Sequence, residues 1–351
     1  MGQSKERMKI TLIACIFILC VSIEGDAEKI GVNNGLLGDN LPPQEEVVSL
    51  MKMNNIGKYR IYKQEPTVFK AFANSDIEII VGVANFDLQR ISSDEKEAMK
   101  WVAEYVKPYF PATNIKYIAV GNEVLGKAET AKYVGYLLPA MINIQNALQK
   151  ANLQDKIKVS TALAARDLIE ALSFQAPSKG TFTEKVENDT SAVLKFLEHS
   201  RSPFLANVFP FFIYNSSRDS YSLDYALFKP TAPVVKDGNK IYKNLFDAMI
   251  DTLYSAMESM GYSNIPIVVT ATGWPSKGND VATIQNAKSY NNNLIKHVLS
   301  KAGTPKRPGQ SPETCIFALF NENQKPGDET ERNFGLFYPN KKPVYPVQFS
   351  V

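Results

Sequence analysis

Short apolar runs rich in β-branched residues alternate along this chain with longer stretches in which apolar residues recur every three or four positions. The first pattern is typical of buried strands and the second of helices that pack one face on a core. The pattern predicts strands over Lys29–Asn33, Gly57–Tyr62, Glu78–Val83, Lys116–Gly121, Lys158–Ala162, Leu205–Phe211, Pro266–Ala271 and Cys315–Phe320. It predicts helices over Gln44–Met53, Pro66–Ala73, Asp94–Val106, Ala131–Lys150, Thr190–Glu198, Tyr242–Met260 and Ile284–Ala302.

Strands that alternate with helices over this length predict an α/β fold, a single (β/α)8 TIM barrel. No linker-like, repeated or low-complexity segment divides the chain, so we predict one domain over residues 28–351. The irregular stretch Ser173–Asn188 is interpreted as an excursion within the fifth crossover. A doubly wound open sheet is the alternative, but no glycine-rich phosphate loop follows the first predicted strand.

The first 27 residues have the pattern of a secretory signal peptide. Basic residues precede the apolar run Ile10–Ile23, and Gly25 and Ala27 supply small residues for cleavage. The run is shorter than the roughly 20 residues that a membrane span needs, although a signal-anchor helix remains the alternative. The last residues, Tyr345–Val351, carry no hydrophobic tail for a lipid anchor. We therefore expect a secreted protein with no membrane attachment after the signal is removed.

Charge and cysteine content narrow the class of partner. The net charge of +3 is small and its basic residues are dispersed, which argues against nucleic acid as a partner. After removal of the signal peptide only Cys315 remains, so no internal disulfide is expected, and its apolar surroundings favour a buried structural thiol over a reactive one. The only histidines, His199 and His297, are far apart, and we expect neither a metal site nor a cofactor.

Asn188 and Asn215 each begin an N-glycosylation triplet in a polar, loop-like context.

Polar and aromatic residues follow the predicted strands, at the end of the barrel where such folds carry their sites. Amides, carboxylates and aromatic faces suit a sugar, whose hydroxyls accept and donate hydrogen bonds while its C–H faces pack on rings. The alternatives are that Phe209 and Phe211 fill the barrel and that Glu322 and Lys325 form a surface pair. The residues at these strand ends are Asn33, Asn34, Tyr62, Asn85, Asn122, Glu123, Thr161, Phe209, Phe211, Ala271, Trp274, Asn321, Glu322 and Lys325.

Two of these positions bear on catalysis. Glu123 directly follows an apolar strand, and burial is expected to raise its pKa, as a general acid requires. The alternative is a structural carboxylate paired with an arginine such as Arg60. Ala271 ends the strand that leads into Gly273-Trp274, and its methyl group has no catalytic chemistry.

With these motifs the chain resembles the plant glycoside hydrolase family 17 endo-1,3-β-glucanases over nearly its whole expected mature length. The resemblance implies secreted (β/α)8 enzymes that cleave β-1,3-glucan with retention of configuration, without a metal or cofactor. It also implies an apoplast or cell-wall location, and we expect a monomer. The motifs are Ile30–Val32, Gly35–Pro42, Val120–Val124, Leu138–Met141, Ser202–Val208, Gly273–Ser276, Glu322–Lys325 and Phe334–Asn340.

The resemblance also implies roles for individual residues. Glu123 corresponds to the acid/base and Asn122 to the amide that binds a sugar hydroxyl beside the cleaved bond. Position 271 corresponds to the nucleophile, which is normally a glutamate before Ser/Thr-Gly-Trp-Pro-Ser and is alanine here. The other cleft positions are Tyr62, Asn85, Trp274, Glu322 and Lys325, together with Asn34 and Phe209.

Several cleft positions depart from the family pattern. Asn33-Asn34 stands where Cys-Tyr is usual, and Lys63-Gln64 where Asp-Pro is usual. Phe209 and Phe211 replace tyrosines and Asn321 replaces an aspartate, so rings are kept while hydroxyl and carboxylate groups are lost. These companions favour a natural sequence over a single engineered substitution.

Three functional hypotheses follow. Retaining hydrolysis needs two carboxyl groups about 5–5.5 Å apart, and a methyl group at 271 cannot attack a sugar. The first hypothesis is therefore a β-1,3-glucan-binding protein, for polysaccharide or oligosaccharide, with impaired or absent hydrolysis. The second is an active endo-glucanase with a displaced carboxylate, for which Glu322 is the candidate in slow inverting cleavage. The third is a non-catalytic structural or interaction protein.

Overall fold

The chain folds into a closed barrel of eight parallel strands, as its computed structural model shows over residues 29–229 and 235–350. The predicted (β/α)8 fold is confirmed, whereas the predicted signal peptide at residues 1–27 lies outside the described ranges. The strands of the barrel, each followed here by its bounds, are β1 (Gly31–Asn34), β2 (Lys58–Ile61), β3 (Glu78–Val83), β4 (Ile115–Asn122), β5 (Lys158–Ala164), β6 (Phe204–Asn207), β9 (Ile267–Thr272) and β10 (Thr314–Ile316). Two further strands, β7 (Val235–Asp237) and β8 (Lys240–Tyr242), pair antiparallel outside the barrel.

Helices surround the barrel and connect successive strands. Those in the described ranges are α1 (Gln44–Met53), α2 (Pro66–Ala71), α3 (Leu88–Ser93), α4 (Glu95–Tyr105), α5 (Val134–Lys150), α6 (Ala165–Leu168), α7 (Glu184–Ser200), α8 (Pro210–Ser216), α9 (Leu223–Ala226), α10 (Leu245–Ser259) and α11 (Ile284–Leu299). None of these helices combines the length and the apolar character that crossing a bilayer requires.

Local sequence explains where several helices begin. The side chain of Asp94 accepts a hydrogen bond from the Lys96 amide at 2.8 Å, which caps the first turn of α4. Thr283 caps α11 and Asn244 caps α10 in the same way. In α5 the apolar residues Leu137, Met141, Ile144 and Leu148 recur at helical spacing and are buried, whereas Ile142 is 42% exposed. One face of this helix therefore packs on the core.

Two strand predictions were wrong in extent. The predicted strand Leu205–Phe211 stops at Asn207, and α8 begins at Pro210. Proline suits the first position of a helix, where its missing N–H has no partner to lose, so the aromatic run after it is helical. The last predicted strand, Cys315–Phe320, is shortened to β10.

Charged side chains close the amino-terminal end of the barrel, where the strands begin. The ammonium of Lys116 lies 3.0 Å from a carboxylate oxygen of Glu78 and 3.1 Å from one of Glu313. Glu313, just before β10, also accepts a hydrogen bond from the Tyr117 hydroxyl at 3.0 Å and lies 3.7 Å from Lys58. The network connects β2, β3 and β4 to the start of β10, and it stabilises the closed barrel at this end.

The barrel core buries both tryptophans of the chain and its Cys315. Trp101 is 1% exposed and Trp274 is 0% exposed. Burial raises the pKa of the Cys315 thiol to about 12, so the thiol stays protonated at neutral pH. The prediction of a buried structural thiol is confirmed.

Candidate functional site

A cleft with a cavity volume of about 630 Å³ opens at the carboxyl-terminal end of the barrel strands. Its position follows from the fold, because all eight strands run parallel and bring their last residues to one rim. The predicted site residues that line this cleft are Tyr62, Asn122, Glu123, Phe209, Ala271, Glu322 and Lys325.

The other predicted site residues do not line this cleft: Asn33, Asn34, Asn85, Thr161, Phe211, Trp274 and Asn321. Asn34 is 1% exposed and donates to the Tyr59 hydroxyl at 2.7 Å. Trp274 is fully buried, and its indole donates to the carbonyl of Val281 at 2.9 Å. Both side chains are therefore buried and do not face the cleft, Asn34 at the end of β1 and Trp274 in the segment after β9.

Asn85 supports the site through the backbone. Its side-chain amide donates to the Asn122 carbonyl at 3.0 Å, and its side-chain oxygen accepts from the Asn122 amide at 2.8 Å. This pair of bonds fixes the end of β4, and Asn85 itself does not line the cleft. Phe211 is also buried, at 1% exposed, which agrees with the alternative that it fills the core.

Glu123 projects from the end of β4 with its backbone in the left-handed region, at a φ of 51°. Its amide donates to the carbonyl of Ala162 at 2.8 Å, which holds the residue against β5. One carboxylate oxygen accepts from the side-chain amide of Asn207 at 2.8 Å, and the other pairs with Lys127. The carboxylate is therefore fixed in direction by groups on both sides.

These partners set the ionisation of Glu123. Burial raises the pKa of this carboxyl, but the Lys127 ammonium and the Asn207 hydrogen bond, with Arg166 nearby, outweigh burial and hold the pKa below its ordinary value. The expectation of a raised pKa was wrong because it considered burial without Lys127. Glu123 is accordingly ionised near neutral pH. The alternative of an ion pair with Arg60 was wrong as well, since Lys127 takes that place.

Arg60 lies beneath the cleft in the centre of the barrel and is 1% exposed. One terminal nitrogen donates to the side-chain oxygen of Asn207 at 2.8 Å and to the carbonyl of Thr270 at 3.0 Å. The other donates to the side-chain oxygen of Asn122 at 2.7 Å, and the guanidinium lies 4.6 Å from the centre of the Tyr62 ring. Arg60 thus joins three cleft residues to the strand that carries Ala271.

Ala271 lies on β9, opposite Asn207 of β6 in the strand register. Its carbonyl accepts from the Val208 amide at 2.8 Å, and the residue is 0% exposed although it is among those that line the cleft. Asn207 therefore connects the two positions that matter for chemistry, because it neighbours Ala271 and bonds Glu123.

Glu322 lines the opposite wall but is tied to the loop after β1. One of its oxygens accepts from the Gly35 amide at 2.6 Å, and the residue is 2% exposed. Burial raises its pKa above the ordinary value, although Lys325 and the amides of residues 35–37 oppose that shift. A Cβ at position 35 would overlap the Glu322 carboxylate, so glycine at Gly35 is a requirement of this contact.

Phenylalanine rings form much of the remaining wall. Phe209 lies 6.1 Å from Phe317 and 5.9 Å from Phe334, edge to face, measured between ring centres. The Arg166 guanidinium lies 4.0 Å from the centre of Phe212, and Lys325 lies 3.8 Å from that of Phe317. The wall therefore offers apolar faces with cations at their edges.

Phe86 stands at the cleft rim and is 69% exposed, in contrast to the buried or half-buried rings of the wall. A single exposed hydrophobic side chain is ordinary on a protein surface, so it is the place of Phe86 at the cleft, and not its exposure, that makes it a candidate contact for a ligand.

Several site residues escaped the sequence analysis. Lys127 follows Glu123 by four positions, and Asn207 is a polar residue in the apolar run of β6. Both features are visible in the sequence, but only the barrel geometry shows that these side chains contact Glu123. Phe317 follows the end of β10 at Ile316, and Phe334 lies in a segment that is neither strand nor helix. In residues 29–229 and 235–350, no three His, Cys, Asp or Glu side chains are grouped as a metal site would require.

Comparison with known proteins places this chain in a family. The family model for glycosyl hydrolases family 17 matches residues 30–349. The chain belongs to this family. The family 17 chain is 44% identical over 350 residues to a glucan endo-1,3-β-glucosidase of Vitis vinifera, covering 100% of both chains.

Two further comparisons agree. A glucan endo-1,3-β-glucosidase of Nicotiana tabacum, a basic vacuolar isoform, is 41% identical over 97% of this chain and 90% of its own. The solved structure of a β-1,3-glucanase and allergen of Cryptomeria japonica pollen superposes with a TM-score of 0.90 at 59% identity. That match covers 92% of this family 17 chain and 100% of the pollen protein.

Proposed function

We propose that this family 17 protein binds β-1,3-glucan in its cleft and does not hydrolyse it by the retaining route. The observation that carries the proposal is Ala271, whose methyl group lies on the cleft floor next to the Asn207 that bonds Glu123. A retaining glycosidase needs a carboxylate that attacks the sugar and a second that protonates the leaving oxygen. Here the second carboxylate is present and the first is replaced by a hydrocarbon group.

Binding is supported by the chemistry of the wall. Phenylalanine rings at 209, 317 and 334 present faces for sugar C–H groups, and Asn122 and Tyr62 present groups that hydrogen-bond hydroxyls. The relatives reported above are named for action on 1,3-β-glucan, which gives the ligand class.

The other carboxylates of the wall are poorly suited to replace the nucleophile. Glu322 is held by the Gly35 amide and Glu331 pairs with the Lys325 ammonium at 2.9 Å. These contacts hold both carboxylates in place, although only one oxygen of Glu322 is engaged by the Gly35 amide. Glu123 remains the acid/base by position, and its lowered pKa leaves it ionised at neutral pH, which weakens it as a proton donor.

One preparation of the purified chain tests both halves of the proposal. Calorimetric titration with laminari-hexaose is expected to show saturable heat, while a reducing-sugar assay on laminarin stays at the level of the Glu123→Gln variant. Hydrolysis that Glu123→Gln abolishes would favour the displaced-carboxylate enzyme, and its loss in Glu322→Gln would identify that carboxylate. Absence of heat with the hexaose would favour a structural or interaction protein.

We further propose that residues 1–27 direct the chain to the secretory route, with the apoplast or cell wall as its destination. The vacuolar tobacco relative makes the vacuole the competing destination. A fluorescent fusion with and without residues 1–27 in plant cells distinguishes the two, and size-exclusion chromatography tests the expected monomer.

Glycosylation is proposed at Asn188 and Asn215, which are both exposed. The structure corrects their context, because Asn188 lies within α7 and Asn215 within α8, not in loops. Asn215 also accepts a hydrogen bond from Arg218 at 2.8 Å. A mass shift on amidase digestion of the secreted protein, repeated for each Asn→Gln variant, decides which triplet is used.

A further inference from the structure

Arg60 is a buried cation without a carboxylate partner in the described part of the chain. Its three hydrogen bonds go to neutral acceptors, namely the amide oxygens of Asn207 and Asn122 and the carbonyl of Thr270. Its remaining nitrogen, Nε, is buried and has no acceptor. Buried charges in proteins are normally paired, because an isolated ion in a poorly polar interior is strongly unfavourable.

The cationic groups around the cleft differ from Arg60 in this respect. Lys127 pairs with Glu123 and lies 3.5 Å from Asp167, and Lys325 pairs with Glu331. Glu123 is therefore engaged by its own lysine and does not serve as the counter-charge of the guanidinium. Arg60 is the interior cation that these pairs leave uncompensated within residues 29–229 and 235–350.

The guanidinium of Arg60 lies directly behind the wall of the cleft and is itself 1% exposed. Its contacts Tyr62, Asn122 and Asn207 all line the cleft, and so does Ala271, the residue next to its acceptor Thr270. At this point the wall carries a methyl group, and no carboxylate blocks the approach of an anion to the arginine.

We propose that the floor of the cleft is a binding site for a small monovalent anion, a halide or a short carboxylate such as formate, held by Arg60 beside Ala271. The anion supplies the negative charge that the guanidinium lacks, and the neighbouring amides of Asn122 and Asn207 shape the site. Size limits the ligand, because Arg60 is 1% exposed behind the cleft wall and a bulky organic anion could not approach it as closely as formate or a halide. The site takes its ligand independently of glucan, so it does not rest on the proposed function.

Thermal unfolding of the purified chain in formate, in bromide and in 2-(N-morpholino)ethanesulfonate at equal ionic strength tests the site. Formate and bromide are expected to raise Tm saturably by about 2 °C or more at concentrations well above Kd, since they bind only the folded state. The bulky anion is expected to leave Tm unchanged. An equal rise with all three anions would show general screening and would overturn the proposal.

Two variants locate the effect. Ala271→Glu places a carboxylate beside Arg60 and is expected to abolish the formate-dependent rise. Lys63→Met removes an exposed cation of the same cleft and is expected to retain it. Persistence of the rise in Ala271→Glu, or its loss in Lys63→Met, would place the anion elsewhere.

A crystal grown or soaked in bromide gives a readout that does not depend on either variant folding. An anomalous peak in contact with the Arg60 guanidinium and facing Ala271 is the expected result. Bromide found only at surface lysines, with the cleft floor free of anomalous signal, would contradict the site.

Discussion

At position 271 the side chain changes more than the supply of a nucleophile. Facing carboxylates raise each other's pKa, and this is how an acid/base glutamate keeps its proton near neutral pH. With alanine there, burial still raises the pKa of Glu123, but Lys127 and Asn207 together outweigh burial, and the pKa lies below the ordinary value. A single methyl group therefore removes the attacking oxygen and also one source of the proton that the other carboxylate would donate.

Ala271→Glu is expected to create laminarin hydrolysis in this chain. The new carboxylate supplies the nucleophile and raises the pKa of Glu123, and deletion of such groups elsewhere costs roughly three to six powers of ten in rate. Release of reducing sugar from laminarin is the measurement, and a gain of about a thousandfold over the starting chain is expected.

Two controls accompany that variant. Ala271→Gln has nearly the same volume without the charge and is expected to stay inactive, and Glu123→Gln in the Ala271→Glu background is expected to remove the gained activity. A folded Ala271→Glu protein that binds hexaose yet releases no sugar would show that the changes at Asn34, Phe209 or Asn321 also disable the site.

Phe86→Ala is expected to weaken laminari-hexaose binding by roughly 3- to 10-fold, because a ring at the rim contributes stacking worth about 0.5–1.5 kcal/mol. The measurement is calorimetric affinity. Leu172→Ala is the matched control, since Leu172 is 62% exposed and lies outside the cleft wall. Equal affinity of Phe86→Ala and the parent chain would remove Phe86 from the binding surface.

The sequence located some of these residues and could not locate others. Glu123 was found because it directly follows an apolar strand and Ala271 because it ends one, and both match a motif. Asn207 was missed because its importance comes from Arg60 and Glu123, which are distant in sequence and meet only when β2, β4 and β6 share a barrel. Trp274 was misplaced because a motif position gives no information on which way its side chain turns.

Among the secondary-structure elements, the run after β6 shows where pattern alone fails. Its residues from Val208 to Phe212 are all apolar, so no alternation separates strand from helix. Pro210 was the available signal for the boundary, and it marks the first turn of α8. Glu78–Val83 and Gln44–Met53, in contrast, were predicted with their observed bounds, because each is a single uninterrupted pattern.

The contact between α10 and the loop after α11 carries a buried carboxylate. Asp251 of α10 is 0% exposed, accepts from the Thr304 hydroxyl, and accepts from the Lys306 amide at 2.7 Å. Burial raises its pKa to about 6, although these hydrogen bonds oppose the shift. At a pH between 3.8 and about 6, Asp251 is therefore mostly protonated in the folded chain and mostly ionised in the unfolded chain.

This difference predicts a pH dependence of stability. A carboxyl with a raised folded-state pKa contributes stability below its unfolded pKa of 3.8, and that contribution is lost as the pH rises through about 6. Between pH 4 and pH 7 the free energy of unfolding of the parent chain is expected to fall by about 2 kcal/mol relative to Asp251→Asn. Urea unfolding at several pH values measures it.

An exposed aspartate provides the comparison. Asp224→Asn is expected to keep the pH slope of the parent chain, because its side chain is 68% exposed. Identical slopes for Asp251→Asn and the parent would mean that Asp251 is ionised in the folded state throughout this range.

At the scale of the whole molecule, the two ends of the barrel have different roles, one in ligand binding and the other in stability. The carboxyl-terminal end carries the cleft, while the amino-terminal end carries the network of Lys58, Glu78, Lys116 and Glu313. In barrels of this kind, side chains at the second end serve stability. Changes at one end are therefore expected to leave the other intact.

Glu313→Ala tests that separation. It leaves two lysines and the Tyr117 hydroxyl short of an acceptor, so the free energy of unfolding is expected to fall by about 1–3 kcal/mol. Hexaose affinity is expected to stay unchanged. Glu46→Ala breaks an exposed ion pair with Lys341 and is expected to cost at most about 0.5 kcal/mol. A large loss of hexaose affinity in Glu313→Ala would show that the two ends are coupled.

The positions of the two tryptophans determine what the intrinsic fluorescence of this protein can detect. Neither indole lines the cleft. Trp274 packs edge to face on Phe211, and Trp101 lies on α4. A sugar chain on the phenylalanine wall would touch no strongly emitting fluorophore, so indole emission stays nearly constant on binding. The same emission should shift to longer wavelength when the barrel opens and water reaches both rings, which makes it an optical probe of unfolding that glucan does not disturb.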